Sequence, residues 1–352
     1  MTSANSISAL QDHGRLSVLD GWRGVSIISV LACHLLPLGP KSWGINPTAG
    51  PFGMALFFTL SGFLITSNLL HNPSVRSFFI RRACRILPLA YLYVCVTVLL
   101  WQHKDWTYAL AYGTFSINYL SQYVIPITSP LWSLCVEVHF YLAVGILVAV
   151  LGKRALYLLP AMALIVTGLR IGRHTPIANV THLRVDEILA GATVALIHLN
   201  PAMARFRSAM GRVPVVVFLV LFAVCCHPAS GALNYLRPYA AAVLVAATLW
   251  QSSWLGALLR SRTLKYFADV SFALYVIHPL NRVGWFVHGG KWELYLLKRP
   301  VGLVLTFLLA HLSTFYYEKW WIERGKRWAR RVESEGAKAK LPAAELVLPA
   351  AT

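Results

Sequence analysis

The sequence predicts an all-α polytopic membrane protein with about ten transmembrane helices and both termini in the cytoplasm. Hydrophobic residues make up 57% of its 352 residues and charged residues only 13%, which is unlike a soluble domain. Apolar stretches near the ~20 residues that span a bilayer recur along the whole chain. With the N-terminus inside, 22 of the 32 lysines and arginines are cytoplasmic, as the positive-inside rule requires. The formal charge of +19 therefore reflects topology, and no nucleic-acid partner is predicted.

Ten stretches are predicted to be the transmembrane helices. They lie near residues 20–38, 52–70, 86–101, 132–151, 155–171, 185–199, 213–227, 235–254, 268–287 and 300–322. Segment 106–131 is also moderately apolar, but a crossing there would invert every later loop against the charge rule. We therefore expect this segment to stay on the outer side or to be re-entrant. No internal repeat of the kind that builds many transporters is visible.

One membrane domain, residues 18–323, is predicted to account for most of the chain. Residues 1–17 form a polar cytoplasmic segment without a cleavage-site pattern, so the first apolar stretch is expected to be a retained helix. Residues 324–352 form a basic cytoplasmic tail, and the Glu/Lys/Ala/Pro mixture from Arg330 onward predicts that it is disordered. The six cysteines lack CxxC or Cys/His spacing, so neither a disulfide framework nor a metal site is predicted.

The first predicted helix carries two polar residues that are costly in a membrane. Arg23 and His34 are eleven residues apart, which in a helix is about three turns and roughly 16 Å along one face. Such residues usually face the protein interior and serve a reaction or an ion path. Asp20 can pair with Arg23 at helical spacing, and a buried neutral His can act as a general base. The alternative is an interfacial Asp–Arg pair and a polar contact between helices.

The second predicted helix contains Ser61 in the sequence FFTLSGFLIT. Ser61 and Gly62 form a small notch, and small residues in membrane helices commonly allow close packing. The alternative is that Ser61 lines a ligand cavity. The G-x-S-x-G frame of a nucleophile elbow is missing, so Ser61 is not predicted to be a nucleophile.

Four arginines precede the third predicted helix. Arg76, Arg81, Arg82 and Arg85 fall within ten residues, ahead of Pro88. They could anchor the cytoplasmic face against anionic lipid heads. They could equally hold a polyphosphate, because guanidinium groups bind pairs of phosphate oxygens. A soluble donor that carries phosphates, such as coenzyme A, would approach from this side.

The fourth predicted helix begins LWSLCVEVHFYL and places a carboxylate inside the membrane. Glu137 is about five residues into the span and needs a partner there. Tyr141 lies four residues later and Ser133 four residues earlier, whereas His139 faces nearly the opposite way. Trp132, at the start of this span, is predicted to be a pocket residue.

The ninth predicted helix, in VSFALYVIHPL, aligns three polar residues along one stripe. Ser271, Tyr275 and His278 are related by i, i+4 and i+7 spacing. Earlier in the chain, Arg184 and Asp186 lie near the outer end of another span, where local pairing explains them as well as function does.

Together these motifs resemble acyltransferase family 3, the polytopic bacterial O-acyltransferases that modify surface sugars, exported polysaccharides and some antibiotics. The matching pieces, in family order, are LDGWRG with the R-x10-H spacing, FFTLSGF, the R-x-x-R before Pro88, LWSLCVEVHFYL and VSFALYVIHP, with YYEKWW in the last helix. The family commonly has Leu where Trp22 stands and Glu-Gln where this chain has Val138 and His139. These departures bear on the acceptor pocket. The resemblance implies a bare membrane module without the SGNH domain that many relatives carry.

The resemblance also implies ten membrane helices and transfer of an acyl group, acetyl in many members, from acyl-coenzyme A. The acceptor would be a hydroxyl of a sugar, exported polysaccharide or glycosylated small molecule. Acyl-CoA is expected as donor substrate, with no permanently bound cofactor, and the inner membrane as the location. Transfer is expected to be direct, because Cys33 points about 100° away from His34 on the helix.

The residues receive three expected roles. His34 is expected to be the general base, Arg23 to hold the donor or stabilise developing charge, and Glu137 to orient His34 or the acceptor. The expected acyl-CoA-binding residues are Arg81, Arg82 and Arg85. The expected pocket residues are Asp20, Ser61, Trp132, Tyr275 and His278.

Two other classes of function remain open. A proton-coupled transporter of a glycan or small molecule would also need His, Arg and Glu inside the membrane. A non-enzymatic scaffold or lipid-binding protein would have no need of them. Consumption of acyl-CoA by the purified protein separates the enzyme from both.

Overall fold

The computed structural model describes the backbone of residues 2–72 and 74–338, and the side chains of 17–72 and 74–335. Every regular element in these ranges is helical, which confirms the predicted all-α class. Six helices are long and apolar enough to cross a membrane, or up to eight if each of two bent helix pairs forms one span. The count of ten spans stays a prediction.

The fourteen α-helices within the described residues alternate with short 3₁₀- and π-helical segments. They are α1 (Thr2–Leu35), α2 (Ile45–His71), α3 (Val75–Val94), α4 (Trp106–Gly113), α5 (Trp132–Leu151), α6 (Leu159–Gly172), α7 (Asp186–Leu199), α8 (Ala204–Met210), α9 (Val215–Cys226), α10 (Arg237–Trp250), α11 (Trp254–Leu259), α12 (Arg262–Ile277), α13 (Arg299–Leu312) and α14 (Lys319–Lys338). The π-helical segments Cys95–Trp101, Glu293–Lys298 and Ser313–Glu318 extend α3, precede α13 and join α13 to α14.

The centre of the molecule is built from α1, α2, α7 and α12: α1 packs against α2 and α12, and α2 packs against α7. A Cβ on Gly62 would lie 1.8 Å from the backbone oxygen of Ile188, and a Cβ on Gly191 would lie 1.9 Å from that of Thr59. Only glycine permits this contact between the α2 and α7 backbones. Gly62 therefore provides the packing notch, which leaves its neighbour Ser61 free to face another direction.

Helix α1 is fixed in the bundle by polar contacts as well as by its apolar face. Ser26 Oγ donates to the Gly53 carbonyl oxygen at 2.6 Å and ties α1 to α2. Trp22 is 1% exposed, and its Nε1 donates to Thr248 Oγ1 of α10 at 2.9 Å. The tryptophan that departs from the family pattern is thus a buried contact with its donor satisfied.

Segment 106–131 does not contain a helix long enough to cross a bilayer. Its α-helix, α4, has eight residues and is about 12 Å long, against a hydrocarbon thickness of ~30 Å. Asp105 caps α4 by accepting from the backbone N–H of Thr107 at 3.0 Å. The rest of the segment forms irregular turns and the 3₁₀ helices Ser121–Tyr123 and Pro126–Leu131, after which α5 begins at Trp132.

The tail differs from the disorder expected from residue 324. The chain is helical through Lys338, and α14 packs against α3. Glu333 accepts from Asn72 at 2.8 Å and pairs with Arg81 at 2.7 Å, and Ala329 is fully buried. The prediction failed because Ala, Glu, Lys and Arg also favour a helix once one face has a surface to pack on. Residues 339–352 lie outside the described part.

Candidate functional site

Cavities of three sizes lie along the polar face of α1. Near Arg23 lies a small one, about 30 Å³, called here the arginine cavity. His34 borders the other two: a cavity of about 540 Å³, the large His34 cavity, and one of about 360 Å³, the basic His34 cavity. Their separation follows from the spacing of Arg23 and His34, roughly 16 Å along the helix.

Three guanidinium groups line the arginine cavity, those of Arg23, Arg82 and Arg85. Glu137 is the carboxylate among its lining residues, and Asp20 lies 3.9 Å from Arg23. Three guanidinium groups against the two carboxylates of Glu137 and Asp20 leave a positive charge at the cavity, which suits an anionic ligand.

Glu137 has two hydroxyl partners in the arginine cavity. Ser61 Oγ donates to Glu137 Oε1 at 2.6 Å, and Tyr141 donates to the same oxygen. Arg82 lies over the Tyr141 ring, 5.5 Å from its centroid. Glu137 therefore lies with Ser61 and the arginines, and the structure does not bring it to His34, which it was expected to orient as an alternative to the acceptor. Helix α5 brings it to the opposite end of the polar face.

Arg81 does not share the cavity with Arg82 and Arg85. It pairs with Glu333 of α14 and donates to Ser77 Oγ at 3.2 Å. Residues i and i+3 lie on one face of a helix, whereas adjacent residues point about 100° apart. Arg82 and Arg85 therefore face the cavity while Arg81 faces α14, so the structure does not bring together all three of the expected donor-binding residues.

His34 lies between the large and the basic His34 cavities and is exposed to them. Its ring stacks on His278 with centroids 5.3 Å apart and an interplanar angle of 20°. Within the described residues, the His34 nitrogens have no hydrogen-bond partner. Both nitrogens are thus available to a ligand.

His278 is fully buried beneath His34. Its Nδ1 lies 2.8 Å from the backbone oxygen of Tyr275, so this nitrogen carries the proton and donates. The other nitrogen, Nε2, is buried without a partner in the described part of the chain. The hydrogen bond fixes the plane of the ring against which His34 stacks.

A small void, called here the neck, lies between the arginine cavity and the large His34 cavity. Its volume is about 10 Å³, and it shares Phe57 and Ser271 with the first cavity and Met54 and Tyr275 with the second. The predicted stripe of α12 follows this route, with Ser271 at the arginine end and Tyr275 at the His34 end. The cavities form one row from Arg23 to His34.

Tyr275 holds the neck together with the start of α5. Its hydroxyl lies 2.5 Å from Ser133 Oγ and donates to the backbone oxygen of Pro130. Trp132 lines the large His34 cavity, and the Arg184 guanidinium lies 5.5 Å from its ring centroid. Residues 117–130 complete this wall, which gives segment 106–131 a place at the site.

Two groups of charged residues lie at the site although the sequence does not predict them there. Arg184 lines the large His34 cavity, although its spacing from Asp186 indicated only local pairing. Arg282, Lys298 and Arg299 line the basic His34 cavity. These three follow Pro279, where short 3₁₀ and π segments give no periodic signal, so only their basic character could have indicated them.

The chain was compared with known proteins. The family model described as "Acyltransferase domain" matches residues 16–315. A putative peptidoglycan O-acetyltransferase of Bacillus subtilis is 27% identical over 372 residues, covering 88% of this chain and 55% of the relative. A putative O-acetyltransferase of Staphylococcus aureus strain COL is 24% identical over 353 residues, covering 85% and 56%.

The O-acetyltransferase OatA of Staphylococcus aureus strain NCTC 8325 is 24% identical over 348 residues, with 85% of this chain and 56% of the relative covered. The chain spans about half the length of the curated relatives it matches. No solved structure matches it.

Proposed function

Because the chain belongs to the family of acyltransferase domains, we propose that it is a membrane O-acyltransferase. It moves an acyl group, acetyl as the names of its relatives suggest, from acyl-CoA to a hydroxyl of a sugar, exported polysaccharide or glycosylated small molecule. The observation that carries the proposal is the row of cavities that starts at three arginines and ends at a histidine with unoccupied nitrogens.

The arginine cavity is the proposed entry for the donor. Arg82 and Arg85 bind the phosphates of coenzyme A, because a guanidinium and a phosphate form paired, charge-assisted hydrogen bonds. Arg23 then holds the donor deeper in the row. Glu137, with Ser61 and Tyr141, keeps the guanidinium groups apart and offsets part of their mutual repulsion. The pantetheine arm runs through the neck and brings the thioester to the large His34 cavity.

His34 is the proposed general base. It takes the proton from the acceptor hydroxyl as the oxygen attacks the thioester carbonyl carbon, and a tetrahedral intermediate forms. The C–S bond then breaks, the electron pair leaves with sulfur, and His34 returns the proton to give the free thiol of coenzyme A. Stacking on His278 holds the ring in the plane that this transfer needs.

Transfer is proposed to be direct. Cys33 also lines the large His34 cavity, so its position alone does not exclude an acyl-cysteine. Its sulfur packs towards Gly50, whose added Cβ would lie 3.1 Å from Sγ. His34 and Cys33 share no hydrogen bond within the described residues, so the base that would activate the thiol is missing.

The proposed topology has ten spans with both termini in the cytoplasm of a cell whose inner membrane holds the protein. Residues 215–226 and 228–250 are bent by 117° relative to each other, and the proposed count of ten takes them as two spans that pack together. A cytoplasmic N-terminus puts the arginine cavity on the cytoplasmic side, where acyl-CoA is made, and His34 towards the outer side.

The test measures release of coenzyme A thiol from acetyl-CoA by the full chain in detergent or nanodiscs, with a mixture of monosaccharides supplied as acceptors. The wild type should turn over, and His34→Ala should lose about 10²–10⁴-fold of the rate, the usual contribution of a general base. Binding of coenzyme A to His34→Ala, which should be retained, verifies that the variant is folded. Undiminished turnover in His34→Ala would remove His34 as the base. Absence of thiol release in the wild type would favour the transporter.

A further inference from the structure

Five charged side chains form a cluster buried in the membrane domain, each at most 2% exposed. They are Arg170, Arg184, Asp186, Glu187 and Arg237. Three guanidinium groups face two carboxylates, so the cluster carries one positive charge more than its described partners neutralise. A buried charge without a counter-charge is expensive, and it usually marks a place that a ligand of opposite charge occupies.

The surplus charge belongs to Arg184. Asp186 accepts from Arg170, and Glu187 accepts from Arg237 Nε at 2.8 Å, which makes two ion pairs, although Arg170 Nε and Arg237 Nη1 also have no acceptor among the described residues. Arg184 Nη2 reaches the second oxygen of Glu187 at 3.2 Å. The other two donor atoms of Arg184, Nε and Nη1, have no acceptor among the described residues.

Arg184 is the member of the cluster that lines the large His34 cavity. Asn118 lines the same cavity and is also incompletely satisfied. Its Nδ2 donates to Thr181 Oγ1 at 2.9 Å, whereas its buried Oδ1 accepts nothing from the described part of the protein. The wall beside His34 therefore offers two unsatisfied groups to a ligand: the Arg184 guanidinium, which would bind an anion, and the Asn118 Oδ1, which would accept from a hydroxyl.

We propose that the large His34 cavity binds an acidic sugar, with its carboxylate on Arg184 and one hydroxyl donating to Asn118. The inference rests on the proposed function, since it makes this sugar the acyl acceptor whose reacting hydroxyl lies at His34. A neutral sugar would satisfy Asn118 and leave the surplus charge uncompensated. An acidic sugar completes the cluster, with three carboxylates for three guanidinium groups.

The first experiment compares D-glucuronate with D-glucose, which differ in a carboxylate. Their binding to the full chain in nanodiscs is measured by equilibrium dialysis of the labelled sugars. Glucuronate should bind at least tenfold tighter than glucose, and Arg184→Gln should abolish this preference. Arg173→Gln, which removes an exposed guanidinium that lines none of the cavities described, should retain it. Equal binding of the two sugars by the wild type would overturn the proposal. It would also be overturned if inorganic phosphate displaced labelled glucuronate as well as unlabelled glucuronate does.

The second experiment checks that Arg184 is not simply holding the fold. Arg184→Gln leaves two ion pairs and removes the surplus charge, so its melting temperature without ligand should match or exceed that of the wild type. Glu187→Gln removes the partner of Arg237 and should lower the melting temperature. If Arg184→Gln unfolds as early as Glu187→Gln, Arg184 is structural and the proposal fails.

Thiol release from acetyl-CoA separates this inference from the proposed function. Turnover that requires His34 but runs equally well with glucose and glucuronate would overturn the acidic acceptor alone. Turnover that ignores His34, with glucuronate still bound through Arg184, would overturn the base alone. If Arg184→Gln slows transfer to glucose as much as transfer to glucuronate, Arg184 acts on the thioester oxygen, and the acceptor assignment fails.

Discussion

At the scale of the residue, His34 and His278 are two stacked imidazoles in different states. His278 is held by a hydrogen bond, whereas the nitrogens of His34 have no hydrogen-bond partner among the described residues. His278 is buried and hydrogen-bonded to the backbone oxygen of Tyr275, so its ring cannot turn. His34 stacks on that fixed ring and keeps both nitrogens unoccupied. This division supports a positioning role for His278 and a reacting role for His34.

The stacking predicts a difference between two substitutions of His278. His278→Phe keeps a ring under His34 and should retain most of the turnover. His278→Ala removes the ring and should lower kcat about two- to tenfold with little change in KM for acetyl-CoA, since an aromatic pair contributes ~0.5–1.5 kcal/mol. Steady-state thiol release at varied acetyl-CoA measures both constants. An equal loss of kcat in both variants would instead assign a chemical role to His278 Nε2.

At the scale of the element, the N-terminal part of α3 separates two functions by the angle between adjacent residues. Arg82 and Arg85 line the arginine cavity, while Arg81 pairs with Glu333 on α14. One basic run thus supplies both a candidate phosphate site and an attachment point for the last helix.

This separation predicts different effects for substitutions of neighbouring arginines. The double substitution of Arg82 and Arg85 by Gln should raise KM for acetyl-CoA tenfold or more, because each charge-assisted hydrogen bond contributes ~1.5–3 kcal/mol. Arg81→Gln should leave that KM unchanged and lower the melting temperature through loss of the contact with Glu333. Kinetics and thermal unfolding of the same preparations measure both effects. A rise in KM for Arg81→Gln equal to that of the double variant would return all three arginines to one general electrostatic role.

What the sequence could predict at this scale follows from helical periodicity. The common face of Arg23 and His34, and the stripe of Ser271, Tyr275 and His278, depend on spacing within one helix and could be predicted. The association of Arg184 with Arg170 and Arg237 could not, because the three come from different parts of the chain that meet only in the folded bundle. The position of Glu137 beside Ser61 could not be predicted for the same reason, since spacing says nothing about how α5 lies against α2.

At the scale of the whole molecule, the helices enclose a row of cavities, so the two ends of the site can be tested separately. Ser271 lines both the arginine cavity and the neck, yet it contacts neither His34 nor the arginines by any hydrogen bond among the described residues. Its Oγ donates to the backbone oxygen of Ala268 at 2.8 Å.

Narrowing the neck should therefore uncouple donor binding from transfer. Ser271→Leu adds bulk there and should reduce turnover at least tenfold while coenzyme A itself, which lacks the acyl end, still binds at the arginine cavity. Ser271→Ala, the matched control, should turn over like the wild type. Dialysis of labelled coenzyme A and thiol release are measured on each variant. Normal turnover in Ser271→Leu would mean that the thioester reaches His34 by another route.

The narrowness of the neck also bears on proton leakage across the membrane. A void of about 10 Å³ is at the lower limit of the ~10–15 Å³ that accommodates one water molecule, so it has no room for a file of several waters. A protein that joins the cytoplasm to the far side would otherwise leak protons along such a file. With the Tyr275 hydroxyl bonded to Ser133 of α5, we expect the protein without donor not to conduct protons, and the proposed pantetheine arm to fill the neck as it enters.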